Sequence, residues 1–235
     1  MTRILAVSPH LDDAVFSAGA RLAEHAIAGD AVMVVTCFTG NVAEPHGFAL
    51  ACQLDKGLGP DIDYMALRRA EDEAACALIG AAPLHLPLLE APHRGYDSAA
   101  ALFGPPLASD SMLSELVTAL KEAAAGCRPD LVYGPYGVGN HVDHHLVREA
   151  MECVFASTPV IWWEDYPYAM REPAAPPSII RYPVSGEAAD RKLSATLAYE
   201  SQLGFQFGGA GAAEAALREW RAEGFTPAPA ATAPA

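Results

Sequence analysis

The sequence is short of basic side chains: it has 15 Lys and Arg residues against 29 Asp and Glu residues, which gives a net charge of −14 at pH 7. A protein this acidic repels phosphate backbones and anionic lipid head groups. We therefore expect neither nucleic acid nor a membrane surface as a partner. Nothing in the composition indicates whether the chain forms a homo-oligomer.

The sequence also lacks a cysteine pattern that would indicate a disulfide framework or a cysteine-bound metal. Its five cysteines are odd in number, widely scattered and without a Cys-x-x-Cys pair. No apolar stretch approaches the length of a membrane span, and the apolar residues after Arg3 are too few for the core of a signal peptide. We expect a soluble protein in the reducing cytoplasm.

The chain does contain a regular alternation of short apolar runs and longer amphipathic ones. Apolar strands that alternate with helices are typical of parallel sheets with right-handed crossovers. The pattern predicts an α/β fold: a single domain with a Rossmann-like, open, mostly parallel sheet and helices on both faces. The predicted strands are 4–7, 32–38, 84–89, 131–133 and 160–163, and the predicted helices are 14–28, 65–79, 111–125, about 141–156 and about 214–222.

The domain is expected to span residues 1–224, and the Pro- and Ala-rich residues 225–235 are expected to form a disordered tail. Segment 39–63 is long for an α/β connection, as lids and binding loops often are. The glycine-rich stretch 204–211 is expected to be a connection.

Polar residues follow four of the predicted strands, and ligands bind at the carboxyl ends of strands in sheets of this kind. After the first strand comes Pro9-His10-Leu11-Asp12-Asp13. His10 and Asp13 can converge on one point across a strand-to-helix turn, which leaves Asp12 free to handle protons. The simpler interpretation is that one of the aspartates caps the helix.

A second polar cluster, His141-Val142-Asp143-His144-His145, opens the helix that follows the strand at 131–133. His141 and His144 share one helical face and His145 lies beside it. Imidazole and carboxylate are ligands that zinc accepts, and a catalytic zinc site needs about three protein ligands and an open position. The two clusters together predict a joint metal site.

The paired motifs resemble the PHPDD and HxDH motifs of the LmbE-like, or PIG-L, N-acetylglucosaminyl deacetylases. Weaker similarities are Arg68-Arg69-Ala70-Glu71 and Tyr199-Glu200-Ser201-Gln202. The resemblance implies Zn²⁺, with Fe²⁺ as the alternative metal, bound by His10, Asp13 and His144. It implies that Asp12 is the general base and acid. It also implies that a protonated His141, oriented by Asp143, stabilises the oxyanion.

The reaction implied is hydrolysis of the amide of an N-acylated amino sugar or its glycoconjugate. Ala14 stands where the family usually has Glu, and His145 is an alternative ligand to His144. Candidate substrate-binding residues are Arg68, from the weaker similarity, and the strand-end residues Tyr136, Glu164, Asp165 and Tyr166.

Three other functions remain open. The same fold and metal would suit an amidase of a thiol conjugate or a hydratase of an unsaturated acid. Gly137-Val138-Gly139-Asn140-His141-Val142 partly matches a dinucleotide-binding fingerprint and would indicate an NAD(P)-dependent oxidoreductase, but Val142 replaces its third glycine.

Overall fold

The computed structural model describes residues 1–171 and 176–227, which form a seven-stranded sheet with helices on both faces. The strands are β1 (Arg3–Ser8), β2 (Ala31–Thr36), β3 (Ala82–His85), β4 (Leu131–Pro135), β5 (Val160–Trp163), β6 (Ile180–Pro183) and β7 (Ala222–Phe225). The helices are α1 (Asp13–Ile27), α2 (Gly47–Leu54), α3 (Tyr64–Ile79), α4 (Ala99–Leu102), α5 (Met112–Cys127), α6 (Val142–Val154), α7 (Gly186–Leu197), α8 (Glu200–Phe207) and α9 (Ala210–Glu219).

Five of the strands are parallel and lie in the order β3-β2-β1-β4-β5. β7 then pairs antiparallel with both β5 and β6. The strand order reverses between β1 and β4, and the connections that leave these two strands open a crevice at their carboxyl ends. The predicted Rossmann-like α/β architecture is confirmed, and the two predicted motifs lie on either side of this crevice.

The position of β1 inside the sheet explains why residues 4–7 are all apolar. Ile4 and Ala6 belong to the core on one face of the sheet, and Leu5 and Val7 belong to the core on the other. Side chains alternate between faces along a strand, and helices cover both faces here, so every position after Arg3 is buried. Each large side chain of this kind stabilises the fold by about 1.5–3 kcal/mol.

Several boundaries differ from the predicted ones. β3 ends at His85 rather than continuing to residue 89, since Pro87 has no N–H for a ladder and forms only an isolated bridge with Phe38. α5 continues through Gly126 and is closed by Arg128, whose φ is 48°. The predicted connection 204–211 is largely helical, because only Gly208 and Gly209 separate α8 from α9.

The carboxyl-terminal part differs most from prediction. Residues 222–225, of which only Ala222 is predicted as the end of a helix, form strand β7, and Phe225, the first residue of the predicted tail, is buried. Thr226 also exchanges two hydrogen bonds with Trp162, at 2.9 and 3.0 Å. The rest of the predicted tail, 228–235, lies outside the described residues. None of the described helices combines the length and the apolarity that crossing a membrane requires.

Candidate active site

The chain turns sharply between the end of β1 and the start of α1. The Ser8 hydroxyl donates to the carbonyl of His10 at 2.7 Å and accepts from the N–H of Ala14 at 3.0 Å. Asp12 precedes α1 but makes no capping hydrogen bond through its side chain, so a helix cap does not explain its carboxylate. Its φ of 149° is rare for a residue with a side chain and costs on the order of 1–3 kcal/mol. Ala14 is fully buried in the core.

Three predicted ligands meet at the crevice. Oδ2 of Asp13 lies 3.1 Å from Nδ1 of His10 and 3.2 Å from Nε2 of His144. The candidate ligand atoms of the three residues all lie within 4.8 Å of one another. Nε2 of His144 is buried, and its contact with Oδ2 of Asp13 lacks the geometry of a hydrogen bond. An unpaired polar atom is costly in a protein interior, and a cation at this point would satisfy it.

Each ligand imidazole is held by a second carboxylate through its other nitrogen. Nε2 of His10 lies 3.0 Å from Oδ2 of Asp143, and Nδ1 of His144 lies 2.8 Å from Oδ1 of Asp165. Such carboxylates fix the orientation and tautomer of metal-binding histidines. The residues present therefore fit a divalent metal, with Nδ1 of His10 and Nε2 of His144 facing it.

The electrostatic surroundings of this trio favour a positive charge. Burial alone would lower the pKa of His10, but Asp13 and Asp143 outweigh it and raise that pKa to about 9. The pKa of His144 is also well above its ordinary value, because Asp13 and Asp165 outweigh its burial. A metal ion competes with protons for these nitrogens. The carboxylates that raise the two pKa values would also attract a metal cation.

His141 caps α6, with its Nδ1 accepting the backbone N–H of Asp143 at 3.2 Å. Asp143 thus contacts His141 through its backbone N–H, while its carboxylate contacts His10. Burial lowers the pKa of His141 to about 3, so the ring is neutral rather than protonated as predicted. With Nδ1 accepting, the proton of the neutral ring is on Nε2, where it can still be donated.

Asp12 contributes its carboxylate to the same cavity that His10, Asp13 and His141 line. Burial raises the pKa of Asp12 to about 7, although Arg68 acts in the opposite direction. Nη2 of Arg68 lies 3.6 Å from this carboxylate. A carboxyl group with a pKa near neutrality can both take up and release a proton at physiological pH.

Arg68 also lines the cavity, but it directs its other donors inward, to Glu90 at 2.6 Å and to the carbonyl of Leu11 at 3.1 Å. It therefore supports Asp12, and its predicted contact with substrate stays a prediction.

The glycine-containing turn after β4 binds a carboxylate of the same chain, that of Asp165. Oδ2 of Asp165 accepts the N–H groups of Gly137 and Val138 at 2.7 and 2.8 Å. A Cβ atom at Gly139 would lie 2.7 Å from the ring of Tyr168, so this glycine serves close packing. The backbone donors that a pyrophosphate would need are occupied, which argues against the dinucleotide-binding interpretation. Asp165, predicted to contact substrate, instead supports His144 and this turn.

The other substrate-binding predictions at this edge do not fit the positions of their residues. The buried Glu164 is paired with Arg181 at 2.8 Å. Tyr166 is buried in the core, and the Tyr136 hydroxyl accepts from Ser178. None of the three lines the cavity among the described residues.

The cavity above the trio has a volume of about 810 Å³, within the range of small-molecule sites. Residues 41–63 of the predicted segment 39–63, including α2, supply much of its wall, and the role of this segment as a binding loop stays a prediction. Several other wall residues were not predicted from the sequence, although Gln202 belongs to a motif noted above. They include Glu90, Phe103, Tyr168, Gln202 and Phe205.

The chain matches known proteins over its whole length. Residues 5–155 match the family described as PIG-L: GlcNAc-PI de-N-acetylase. The chain is 34% identical over 170 residues to 2'-N-acetylparomamine deacetylase of Streptomyces fradiae, an alignment that covers 71% of this chain and 58% of that protein. The aligned part is thus less than two thirds of that relative's length.

Several solved structures share the fold. A deacetylase of the teicoplanin biosynthesis pathway has a TM-score of 0.84 and 29% identity, covering 98% of this chain and 100% of that one. Another structure of a teicoplanin deacetylase is described as its zinc-inhibited form. The A40926 pseudoaglycone deacetylase has a TM-score of 0.80 and 30% identity, with 99% of both chains covered.

These relatives are deacetylases, hydrolases that act on N-acetyl amide bonds. Because residues 5–155, well over half of the chain, match the family and include His10, Asp13 and His144, the chain belongs to the PIG-L (GlcNAc-PI de-N-acetylase) family.

Proposed function

We propose that this chain is a metal-dependent deacetylase that removes an acetyl or other acyl group from an N-acylated amino sugar within a glycoconjugate. The observation that carries the proposal is the His10–Asp13–His144 trio, whose candidate ligand atoms converge at the base of a large cavity that Asp12 also lines. Family membership and the deacetylase relatives support the same reaction.

Zn²⁺ is the proposed cofactor, with Fe²⁺ as the alternative. His10, Asp13 and His144 would hold the metal, two imidazoles and a carboxylate being a ligand set that zinc uses in catalytic sites. When bound, the metal would act as a Lewis acid towards the acyl oxygen and the attacking water.

Asp12 is the proposed general base and acid. It would take a proton from water as the water oxygen attacks the acyl carbon. It would then give that proton to the departing nitrogen as the C–N bond breaks, so that the products are a carboxylic acid and an amine. Its near-neutral pKa suits both transfers, and Arg68 keeps the carboxylate in place.

His141 is the proposed donor to the oxyanion. Its Nδ1 is occupied by the Asp143 N–H, so its Nε2–H is the group that can donate. A neutral imidazole still stabilises developing negative charge, and the loss of one such donor typically costs about 10²–10³-fold in rate.

The cavity suits a substrate larger than a free monosaccharide. Segment 41–63 places four carboxylates and one ammonium group along the wall, and these groups would bind hydroxyls and amino groups outside the reacting sugar: Glu44, Asp55, Asp61, Asp63 and Lys56. The names of the relatives refer to 2'-N-acetylparomamine, to teicoplanin biosynthesis and to the A40926 pseudoaglycone. We propose that the segment covers the part of the glycoconjugate beyond the amide.

An amine-release assay on matched substrates tests the proposal. Deacetylation is expected to be faster on N-acetylglucosaminyl conjugates than on free N-acetylglucosamine, and a shortened 41–63 segment is expected to remove the difference. Equal rates on both would argue for a simple sugar pocket. Hydration of an unsaturated acid, or cleavage of thiol conjugates alone, would support the alternatives instead.

The cellular setting is likewise a proposal. The net charge of −14 supports a protein that acts on a small molecule without nucleic acid or a lipid surface, and the scattered thiols support a cytoplasmic location. A single catalytic domain would suffice, since every proposed catalytic group lies between residues 10 and 144.

A further inference from the structure

Asp143 has no role of its own in the chemistry proposed above, yet it is the most enclosed carboxylate near the trio, with no exposed surface. It accepts from three groups. These are Nε2 of His10 at 3.0 Å, the N–H of Ala91 at 3.0 Å and Nη2 of Arg94 at 2.8 Å. Two of the three donors come from the connection between β3 and α5, which carries none of the proposed ligands.

Arg94 is itself held firmly. Its Nη1 donates to the carbonyl of Leu89 at 2.7 Å, and its guanidinium contacts Asp110 at 3.0–3.3 Å. The guanidinium also lies 4.9 Å from the centre of the Phe38 ring. Its side chain is 7% exposed, so it is a fixed part of the interior rather than a surface ion pair.

We propose that Arg94 is a positioning residue for the metal site: through Asp143 it holds the His10 ring with Nε2 protonated and Nδ1 facing Asp13. The Arg94–Oδ1 contact leaves Oδ2 of Asp143 to accept from His10 and Ala91. Without Arg94, Oδ1 of a fully buried carboxylate would lose its donor. The carboxylate would then turn towards other donors, and His10 would lose its fixed orientation.

The proposal rests on the proposed metal site. Zinc affinity distinguishes a failure of the positioning role of Arg94 from a failure of the metal site itself. Zn²⁺ binding to the full chain is measured by competition with a chromophoric chelator for wild type, Arg94→Met and Arg148→Met. Arg148 is the matched control, because it lies on α6 one turn beyond His144 but contacts the carbonyl of Tyr136 and Glu152 instead of an orienting carboxylate.

Arg94→Met is expected to weaken zinc binding by about 10- to 100-fold, the usual effect of losing a group that orients a ligand. Arg148→Met is expected to stay within about threefold of wild type. An unchanged affinity in Arg94→Met, or an equal loss in both variants, would overturn the positioning role. If wild type binds no zinc or iron, the proposed function fails instead.

A second measurement needs no variant and decides the matter if Arg94→Met does not fold. Long-range ¹H–¹⁵N spectra of the zinc-loaded wild type report which imidazole nitrogen carries a proton. The proposal expects the proton on Nε2 of His10 but on Nδ1 of His144. A proton on Nδ1 of His10 would overturn it.

Discussion

Asp165 lies at the exit of β5, and its Oδ1 atom is 2.8 Å from Nδ1 of His144, a residue on a different strand connection. The other oxygen of this carboxylate accepts two backbone N–H groups of the turn after β4. One buried carboxylate thus sets both the histidine tautomer and the backbone that leads to His141. The amide of asparagine has the same shape but only one acceptor oxygen.

Asp165→Asn is therefore expected to weaken metal binding by about 10- to 100-fold. If the amide nitrogen faces His144, it donates to Nδ1 and moves the imidazole proton to Nε2, the proposed ligand atom. If it faces the turn, it meets two N–H donors. The measurement is zinc affinity by chelator competition, with the exposed Asp130→Asn as control. Wild-type affinity in Asp165→Asn would contradict this account of Asp165.

The metal trio is tested by removing one ligand at a time. His144→Ala and Asp13→Ala are expected to lose bound metal, because each removes one of three ligands. His145→Ala is the matched control, since its Nε2 contacts Asn140 at 3.3 Å rather than the trio. Metal content is measured by elemental analysis of protein purified without chelator. Full occupancy in the first two variants, or loss in the third, would refute the assignment.

Asp12→Asn separates proton transfer from metal binding. The substitution keeps the shape but removes the base, so we expect normal metal content and a fall in turnover of at least about 10²–10⁴-fold. Turnover and metal content are measured on the same preparation. Activity within a few-fold of wild type would mean that another group moves the proton.

The contribution of strand β7 to stability can be tested through the buried ion pair that Glu223 forms. Nζ of Lys192 on α7 lies 2.8 Å from Oε1 of Glu223 on β7, and both are buried. Lys192→Met would leave Glu223 buried without its counter-charge, which is expected to lower the free energy of unfolding by about 3–5 kcal/mol.

The control for this stability measurement is Arg218→Met, which breaks an exposed pair with Glu214 on α9. An exposed pair contributes at most about 1 kcal/mol. Both variants are followed by urea denaturation. Equal stability losses would mean that Glu223 does not hold β7 against the helices.

Much of the fold could be predicted, because β1, β2, β4 and β5 are apolar on both faces and alternate with amphipathic helices. The position of the site followed from the same pattern, since both motifs come after strands that meet at the reversal of strand order. The antiparallel strands could not be predicted. β7 is four residues long, contains Glu223 and Gly224, and is stabilised by partners distant in the chain.

The substrate-facing residues were the least predictable. Glu164 and Asp165 are adjacent in sequence, but Asp165 turns to His144 while Glu164 turns to Arg181 on β6. The pattern of strand ends identifies an edge of the sheet but does not indicate on which side of that edge a cavity opens. Here segment 41–63 and α8 supply much of the wall, and apart from Asn41 their residues lie away from the strand ends.

The most direct test of the central claim is amine release by the wild-type chain before and after its metal is removed. On an N-acetylglucosaminyl conjugate, the account predicts amine and acetate in equal amounts, no release after chelation, and recovery when Zn²⁺ or Fe²⁺ is restored to about one ion per chain. Hydrolysis at an unchanged rate by metal-free protein, or no amine release from any N-acylated conjugate at full metal occupancy, would contradict it.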